Sequence, residues 1–515
     1  MAAIKRLRQM YEAGGWVLVE STLADLPSDL RWLYESGAVT LDQLAALHAS
    51  LGATSAADLA AALNEQALPT VDGIDERTET AISAALPKLR ASVPRIPLGR
   101  AVAIADPLLE TIRAAAGTVW ASPAGSLRRG EETVGDIELV AATSDAAAAI
   151  DALLQHPDAG RCLHRSDRRV YLLSDRAQVA VRLPEPANAG ADLLYLTGST
   201  RHFAALQQIA VERGCRLTSR ALLDARGQRR PTPREDDIYE ALGLPCIPAQ
   251  IRDGLDEIAP ARDGALPSLV SRREIRGDLH MHTVWSDGRD SIEAMVDACE
   301  ALGYEYIAIT DHSQSSAASR NLSADDVKKQ AEEIAGLRER HPRIGIMHGC
   351  EVDILPDGRL DFPDRVLERF DIVLASLHER AGHSPDQLMK RYGEAMRHPL
   401  VTMITHPTNR LVPHRAGYDL DYDRLFELAI ETHTVLEVDG SPSHLDLDGT
   451  LARRAVSAGV TVAVDSDCHR ADLLERQMRL GLLMARRGWV EPRHVLNARP
   501  LEDVRAAIAA KRAGR

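Results

Sequence analysis

The stretch Arg276–Gly288, RGDLHMHTVWSDG, sets His280 and His282 one residue apart and follows them with Asp287. On an extended chain alternate side chains share a face, so the two imidazoles project together and the acid follows in the next loop. The same arrangement recurs downstream. From about residue 274 the apolar runs YIAIT, RIGIMHG, DIVLASLH, LVTMITH, TVLEVDG and VTVAVDSDCH alternate with helical stretches. That rhythm predicts parallel strands joined by crossover helices, as in a barrel or a doubly wound sheet. Functional side chains in such folds gather at the carboxyl ends of the strands. Here those ends carry Asp311 and His312, His348 and Glu351, His378, His406, and Asp467 and His469.

Neutral imidazole and carboxylate suit zinc, manganese or iron. About nine such groups exceed the needs of one tetrahedral ion, so a cluster of two or three ions is expected. Clustered ions polarise phosphoryl oxygens, activate water and stabilise a leaving oxygen. An isolated histidine, such as His414 or His433, reads as an ordinary surface residue. His348, His383 and Asp353 are left outside the expected site. Asp311 is expected to orient its neighbour His312 from behind.

Composition bounds the rest. A chain of 515 residues predicts two to four domains, and 45% hydrophobic residues with 4% aromatics is a globular balance. No run of about 18 apolar residues occurs, so no membrane span is expected. The start, MAAIKRLRQM, lacks the apolar core of a signal peptide. Six scattered cysteines without a CxxC pair fit a reduced cytoplasm. A net charge of −14 argues against gripping nucleic acid over the whole surface, leaves room for a local basic groove, and suits a cation site. Of 18 histidines, 14 follow residue 274, so the chemistry of histidine belongs to the second half.

Residues 1–94 read as short helices, with a cap and turn in LGATSAADL and a second helix–turn–helix in LPTVDGIDERTETAISAAL. Residues 95–253 mix helices and strands. TVWASPAGSLRRGEETVGDIELVAAT reads as strand, Gly-rich turn, strand, and RRVYLLS and AQVAVRL as strands joined by a tight turn at Asp175. Residues 254–273 read as a linker and 274–515 as the metal-binding α/β domain.

GDLHMHTVWSDG, ITDHS, GCEVDIL, GRLDFPD, ASLH, THPTNR and DSDCH together resemble the motifs of the PHP (polymerase and histidinol phosphatase) domain. More narrowly, they resemble the PHP domain at the C-terminus of bacterial family X DNA polymerases. The resemblance implies a distorted (β/α)7 barrel with a trinuclear metal site that hydrolyses phosphoesters, acting in this family as a manganese-dependent 3′–5′ exonuclease. The ligands it implies are His280, His282, Asp287, His312, Glu351, His378, His406, Asp467 and His469. THPTNR departs from the usual HPTGR at Asn409, and the loop after His312 also differs, which touches substrate contacts rather than metal binding. Arg410, beside His406, is a candidate phosphate clamp.

GSLRRGEETVGDIELV resembles the palm signature of family X polymerases, LYLTGST their nucleotide-site motif, and DDIYEALGLPCIPAQIRD the end of their thumb. The resemblance implies an α+β nucleotidyltransferase palm. Gly125 and Ser126 would cradle phosphate there, and Arg128 and Arg129 would meet triphosphate oxygens. Two-metal nucleotidyl transfer needs three carboxylates. Asp136 supplies the first, Glu138 the second with an extra methylene, and the third position is Ala180. Alanine binds no metal, so weak or absent polymerase activity is expected; Asp175 and Glu185 are nearby acids, but alternation and distance count against their compensating. The N-terminal helices resemble a shortened helix-hairpin-helix module, but VDGIDE has Asp75 where the second glycine belongs.

The expected function is therefore a metal-dependent phosphoesterase of the 3′–5′ exonuclease or DNA end-processing type. It would use manganese or zinc, with iron as a further candidate, and magnesium in the palm only if the palm still works. Its expected partner is DNA at 3′ ends or gaps. The alternatives are a small-molecule phosphatase with the first half as scaffold, and an active repair polymerase or DNA-binding scaffold.

Overall fold

The computed structural model describes residues 28–92, 95–316, 320–378 and 382–514. The basic start MAAIKRLRQM lies outside them. The chain divides into two compact units, with the main change at Ala265–Leu266; Pro97–Gly99 and Gly130–Glu132 group with the second.

The first unit begins with helices Ser28–Glu35, Leu41–Leu51, Ala56–Asn64 and Glu76–Ser92. Local chemistry sets their ends. Thr40 and Gln43 form a reciprocal capping box, Gly52 closes the same helix in the left-handed region, and Ser55 caps the next. In VDGIDE, Asp75 accepts bonds from the Thr78 amide and hydroxyl at 2.8 and 2.7 Å and so tethers the start of helix Glu76–Ser92. Leu33, Leu47, Leu59, Leu68 and Ile82 form the core of this bundle.

A mixed five-stranded sheet follows, built from β1 (Thr118–Pro123), β2 (Ile137–Thr143), β3 (Arg161–Arg165), β4 (Arg169–Ser174) and β5 (Ala177–Arg182) in the order β1-β2-β5-β4-β3. Only β2 and β5 run parallel. Asp175 and Arg176, both at positive φ, make the tight turn between β4 and β5. The expected Gly-rich turn after β1 differs: Gly125–Arg129 winds into one turn of helix, with Gly125 at φ 61° leading into it. A small antiparallel sheet of β6 (Arg216–Leu217), β7 (Leu222–Leu223) and β8 (Arg229–Arg230) comes next. The stretch read as a linker carries a short helix, Ile258–Arg262, preceded by Glu257, which pairs with buried His202 at 2.6 Å.

The second unit is a parallel sheet of seven strands in sequence order: β9 (Gly277–Asp278), β10 (Tyr306–Ile309), β11 (Gly345–Asp353), β12 (Ile372–Ser376), β13 (Val401–Ile404), β14 (Val435–Asp439) and β15 (Val462–Asp465). The strands are buried almost throughout, as expected for a sheet covered by crossover helices. β9 and β15 are too short to close the barrel by a full ladder. The seam is made instead by a single parallel bridge, Met281 to Cys468, and by side chains. Asn497 bonds to the Val464 amide and to the Gly277 and Val464 carbonyls, and Asp465 accepts the Leu279 amide at 2.7 Å. Asn497 thus does the work of a missing strand. Among the described residues, no helix is long and apolar enough to cross a membrane.

Candidate metal centre

The Met281–Cys468 bridge explains the His-x-His spacing. Both bridge residues are fully buried in the wall. Their neighbours on either side, His280 and His282 from one segment and Asp467 and His469 from the other, therefore turn to the opposite side. His280 and His282 lie just beyond the short strand β9 rather than within it. On the long strand β11, Glu351 faces the same centre. His348, three residues earlier, faces away and meets Gln330 of helix Ala324–Arg340 at 3.0 Å.

Glu351 is the hub. Its carboxylate lies 2.8 Å from His406 Nε2, 2.9 Å from His312 Nδ1, 3.5 and 3.6 Å from His280 and His282 Nε2, and 3.7 Å from His378 Nε2. Asp467 Oδ1 lies 3.2 Å from His282 Nε2, and Asp287 Oδ1 lies 3.3 Å from His469 Nε2 and 3.6 Å from His312 Nε2. Three adjoining groups result: His282, Asp287, His312 and His469; His280, His282 and Asp467; and His312, Glu351 and His378. His282 and His312 each belong to two of them. His406 belongs to none and joins through Glu351. All nine residues singled out in the sequence are thus brought together.

The donor set fits divalent cations. His312 Nδ1 and Glu351 Oε2 are buried and close, yet neither has a hydrogen-bond partner. His280 and His282 bring their Nε2 atoms within 3.0 Å of each other. Imidazole nitrogens and carboxylate oxygens that converge in this way are the donor set that a divalent ion takes. Electrostatics agree. Burial works against charge on His280 and His406, but Glu437, Glu351 and Asp467 raise the first well above the usual range, and Glu351 and Glu437 bring the second to about 9. Burial and the neighbouring imidazoles His312 and His469 push His282 down to about 3. The field of the carboxylates attracts positive charge into the centre. His406 and Asp467 also hold positive φ, 26° and 47°, conformations that bulky residues adopt only where the surroundings enforce them.

Two supporting acids escaped the sequence reading. Glu437 on β14 takes His280 Nδ1 at 2.7 Å and the His406 amide at 2.7 Å. Asp353, left outside the site, takes His378 Nδ1 at 2.7 Å. The available signals were an acid inside the apolar run TVLEVDG, two residues before Asp439, and the two-residue offset of Asp353 from Glu351. Each carboxylate fixes a tautomer and leaves Nε2 facing the centre. Glu437→Gln is expected to weaken metal retention or turnover about 10–100-fold, read by metal analysis of the purified variant beside its rate.

Other expectations change. Asp311 does not bond to His312; it accepts from the Thr283 amide and hydroxyl, Ser286 and Gln330, so it braces the loop between His282 and Asp287. Arg410 is not turned outward as a clamp. Its guanidinium meets the His444 carbonyl at 2.8 Å, the Leu445 carbonyl and, at 3.4 Å, Asp448.

In the first unit, register decides what the palm face carries. Glu138 pairs with Ala180, Ala180 with Tyr171, and Arg182 with Arg169. All five share one face, and Asp136, two residues before Glu138, is exposed. The helical bundle occupies this face. Asp58 lies 3.0 Å from Arg182 and 2.7 Å from Arg169, Thr54 meets Arg169 at 2.8 Å, and Tyr195 donates to the Ala57 carbonyl at 3.1 Å. Burial alone would raise the Asp58 carboxyl, but Arg182 and Arg169 outweigh it and hold it far below the usual range. Burial pushes Glu138 up to about 7, and its Oε2 is sealed from solvent without a partner. Arg128 forms a bidentate pair with Glu235 at 2.8 and 2.6 Å, and Arg129 meets the Thr197 carbonyl, so both are engaged within the fold. Gly125 and Ser126 open the short helix beside them.

Comparison with known proteins places this geometry. The PHP domain model matches residues 278–440 and the DNA polymerase beta thumb model residues 192–253. The DNA polymerase/3′-5′ exonuclease PolX of Bacillus subtilis (strain 168) is 36% identical over 506 residues, covering 98% of this chain and 88% of that protein. The chain belongs to the PolX family. The PHP part of this PolX-family chain is also similar to proteins named probable phosphatases. A probable phosphatase of Caldanaerobacter subterraneus is 31% identical over 206 residues, 37% of this chain and 75% of the relative. Another, of Syntrophotalea carbinolica, is 30% identical over 177 residues, 34% of this chain and 69% of the relative.

Proposed function

We propose that this PolX-family chain hydrolyses phosphodiesters at the 3′ ends of DNA through its C-terminal centre, and that its palm adds few or no nucleotides. The observation that carries the first part is Glu351 within 3.7 Å of five imidazoles supplied by different segments. The name of the Bacillus subtilis relative, which includes a 3′-5′ exonuclease, supports the same reading.

In this reading His280, His282, Asp287, His312, Glu351, His378, His406, Asp467 and His469 hold two or three ions, of manganese or zinc, with iron as a further candidate. When bound, such ions polarise a phosphoryl oxygen, lower the pKa of water and offset charge on the leaving oxygen. The protein supplies the rest. Glu437 and Asp353 fix the tautomers of His280 and His378, and Asp311 with Ser286 and Thr283 sets the loop that presents Asp287.

The second part rests on Ala180, which offers no oxygen beside Glu138, and on the bundle seated over that face. Magnesium would bind at Asp136 and Glu138 only if the palm opened. Six free cysteines suit a reducing cytoplasm. The proposed domains are a helical module over 1–94, a palm and thumb over 95–253, a connecting stretch over 254–273 and the PHP domain over 274–515. A second reading, hydrolysis of a small phosphorylated molecule, is favoured by the probable phosphatases that align with the PHP half.

The test is a paired assay with manganese on one labelled primer–template, following extension and 3′-end loss together. Loss without extension is expected, ended by a chelator and unchanged by Asp136→Ala. Extension that depends on added nucleotides would overturn the palm reading. Rapid cleavage of a phosphomonoester with no loss of DNA would favour the second reading.

A further inference from the structure

Residues 213–234 hold seven arginines, at 213, 216, 220, 226, 229, 230 and 234, and a single acid, Asp224, in a chain of net charge −14. All seven arginines are exposed. The stretch forms the small sheet β6–β7–β8 and its turns. Arg216 and Arg229 both pair in register with Leu223, from opposite sides. Directly opposed residues share a face, so Arg216, Leu223 and Arg229 lie in one row across the sheet. Leu217 and Leu222 are buried, so this row faces outward. Its arginines are about 10 Å apart, two strand spacings. Arg226 stands in the turn between β7 and β8. Asp224 Oδ1 accepts the Arg226 and Gln228 amides at 2.9 Å each and shapes that turn. Arg216, Arg226 and Arg229 have no ion-pair partner among the described residues.

Exposed guanidinium groups without an ion-pair partner stand open to an anionic one. The partner that satisfies them is a repeating polyanion, since each guanidinium can bind phosphate through two donors. We propose that this outward face of the β6–β7–β8 sheet binds the phosphate backbone of DNA. The inference deepens the exonuclease reading and rests on it for the choice of DNA over another polyanion. It gives the first unit a substrate-holding role that does not need the palm face. Phosphate contacts carry no sequence information, so this binding is independent of sequence.

The test uses the full chain and the variant Arg216→Ala/Arg226→Ala/Arg229→Ala. Binding of a labelled duplex is followed by anisotropy with chelator present, from 50 to 200 mM salt, beside manganese-dependent cleavage of bis(p-nitrophenyl) phosphate. Each lost phosphate contact removes about 0.9 from the slope of log affinity against log salt. The variant is therefore expected to bind at least about tenfold more weakly at low salt, with a slope shallower by about 2–3, and to cleave the small diester as the parent does. Unchanged affinity and slope, or no DNA binding by the parent chain, would overturn the proposal. A parent that binds DNA through these arginines yet leaves its 3′ ends intact would sink the exonuclease reading and spare this one.

Discussion

Glu351→Gln is expected to reduce manganese-dependent loss of DNA 3′ ends by about a thousandfold or more. The residue is the one side chain common to the contacts of His280, His282, His312, His378 and His406. An amide removes a negative charge from the middle of the centre and puts N–H where two lone pairs now face the imidazoles. Charge stabilisation by clustered ions is worth several kcal/mol, and each 1.36 kcal/mol is tenfold in rate. Metal analysis of the variant should show fewer ions per chain. A variant that keeps both its ions and its rate would remove Glu351 from the centre, and with it the argument for a shared cluster.

Asp58→Asn is expected to cost the first unit about 3–5 kcal/mol, because it removes the carboxylate that meets buried Arg182 at 3.0 Å and Arg169 at 2.7 Å. Urea unfolding at pH 7 would read this directly. The pH dependence has a definite sign. The Asp58 carboxyl is held low in the folded chain, so its contribution is fully present above the ordinary aspartate value of about 3.9 and is lost as pH falls towards the folded value. The gap between parent and variant should therefore narrow on acidification below about pH 4. A gap under about 1 kcal/mol at pH 7 would mean that the pair is no stronger than a surface ion pair. The same variant should loosen the bundle over the palm face, and any extension activity it unmasks would show that the face was covered rather than lost.

The candidate centre was legible in the sequence because most of its residues sit at or just past the end of an apolar run, and alternation groups those that share a face. His280 and His282 needed only the spacing of two residues. The supporting contacts were not legible, because their partners are distant in the chain. Glu437 reaches His280 across 157 residues, and Arg128 reaches Glu235 across 107. An arginine beside a motif therefore reads as a free clamp until the fold reveals its partner, as Arg410 does when it turns to the His444 carbonyl. The turn after β1 was misread for a similar reason. Five residues carry too little periodicity to announce a helix, and packing decides their shape. The covered palm face lay between these cases. The alanine at 180 was visible, but the bundle's acid that answers Arg182 lies 124 positions away, in a helix whose own sequence mentions no such task.

The mock strand supplied by Asn497 has a consequence for timing. It joins the first strand of the barrel to the last, across 220 residues for Gly277 and 33 for Val464. Contacts of such long sequence separation form late in folding. The histidines and acids on the two sides of that seam are therefore brought together only once residues 462–497 are in place.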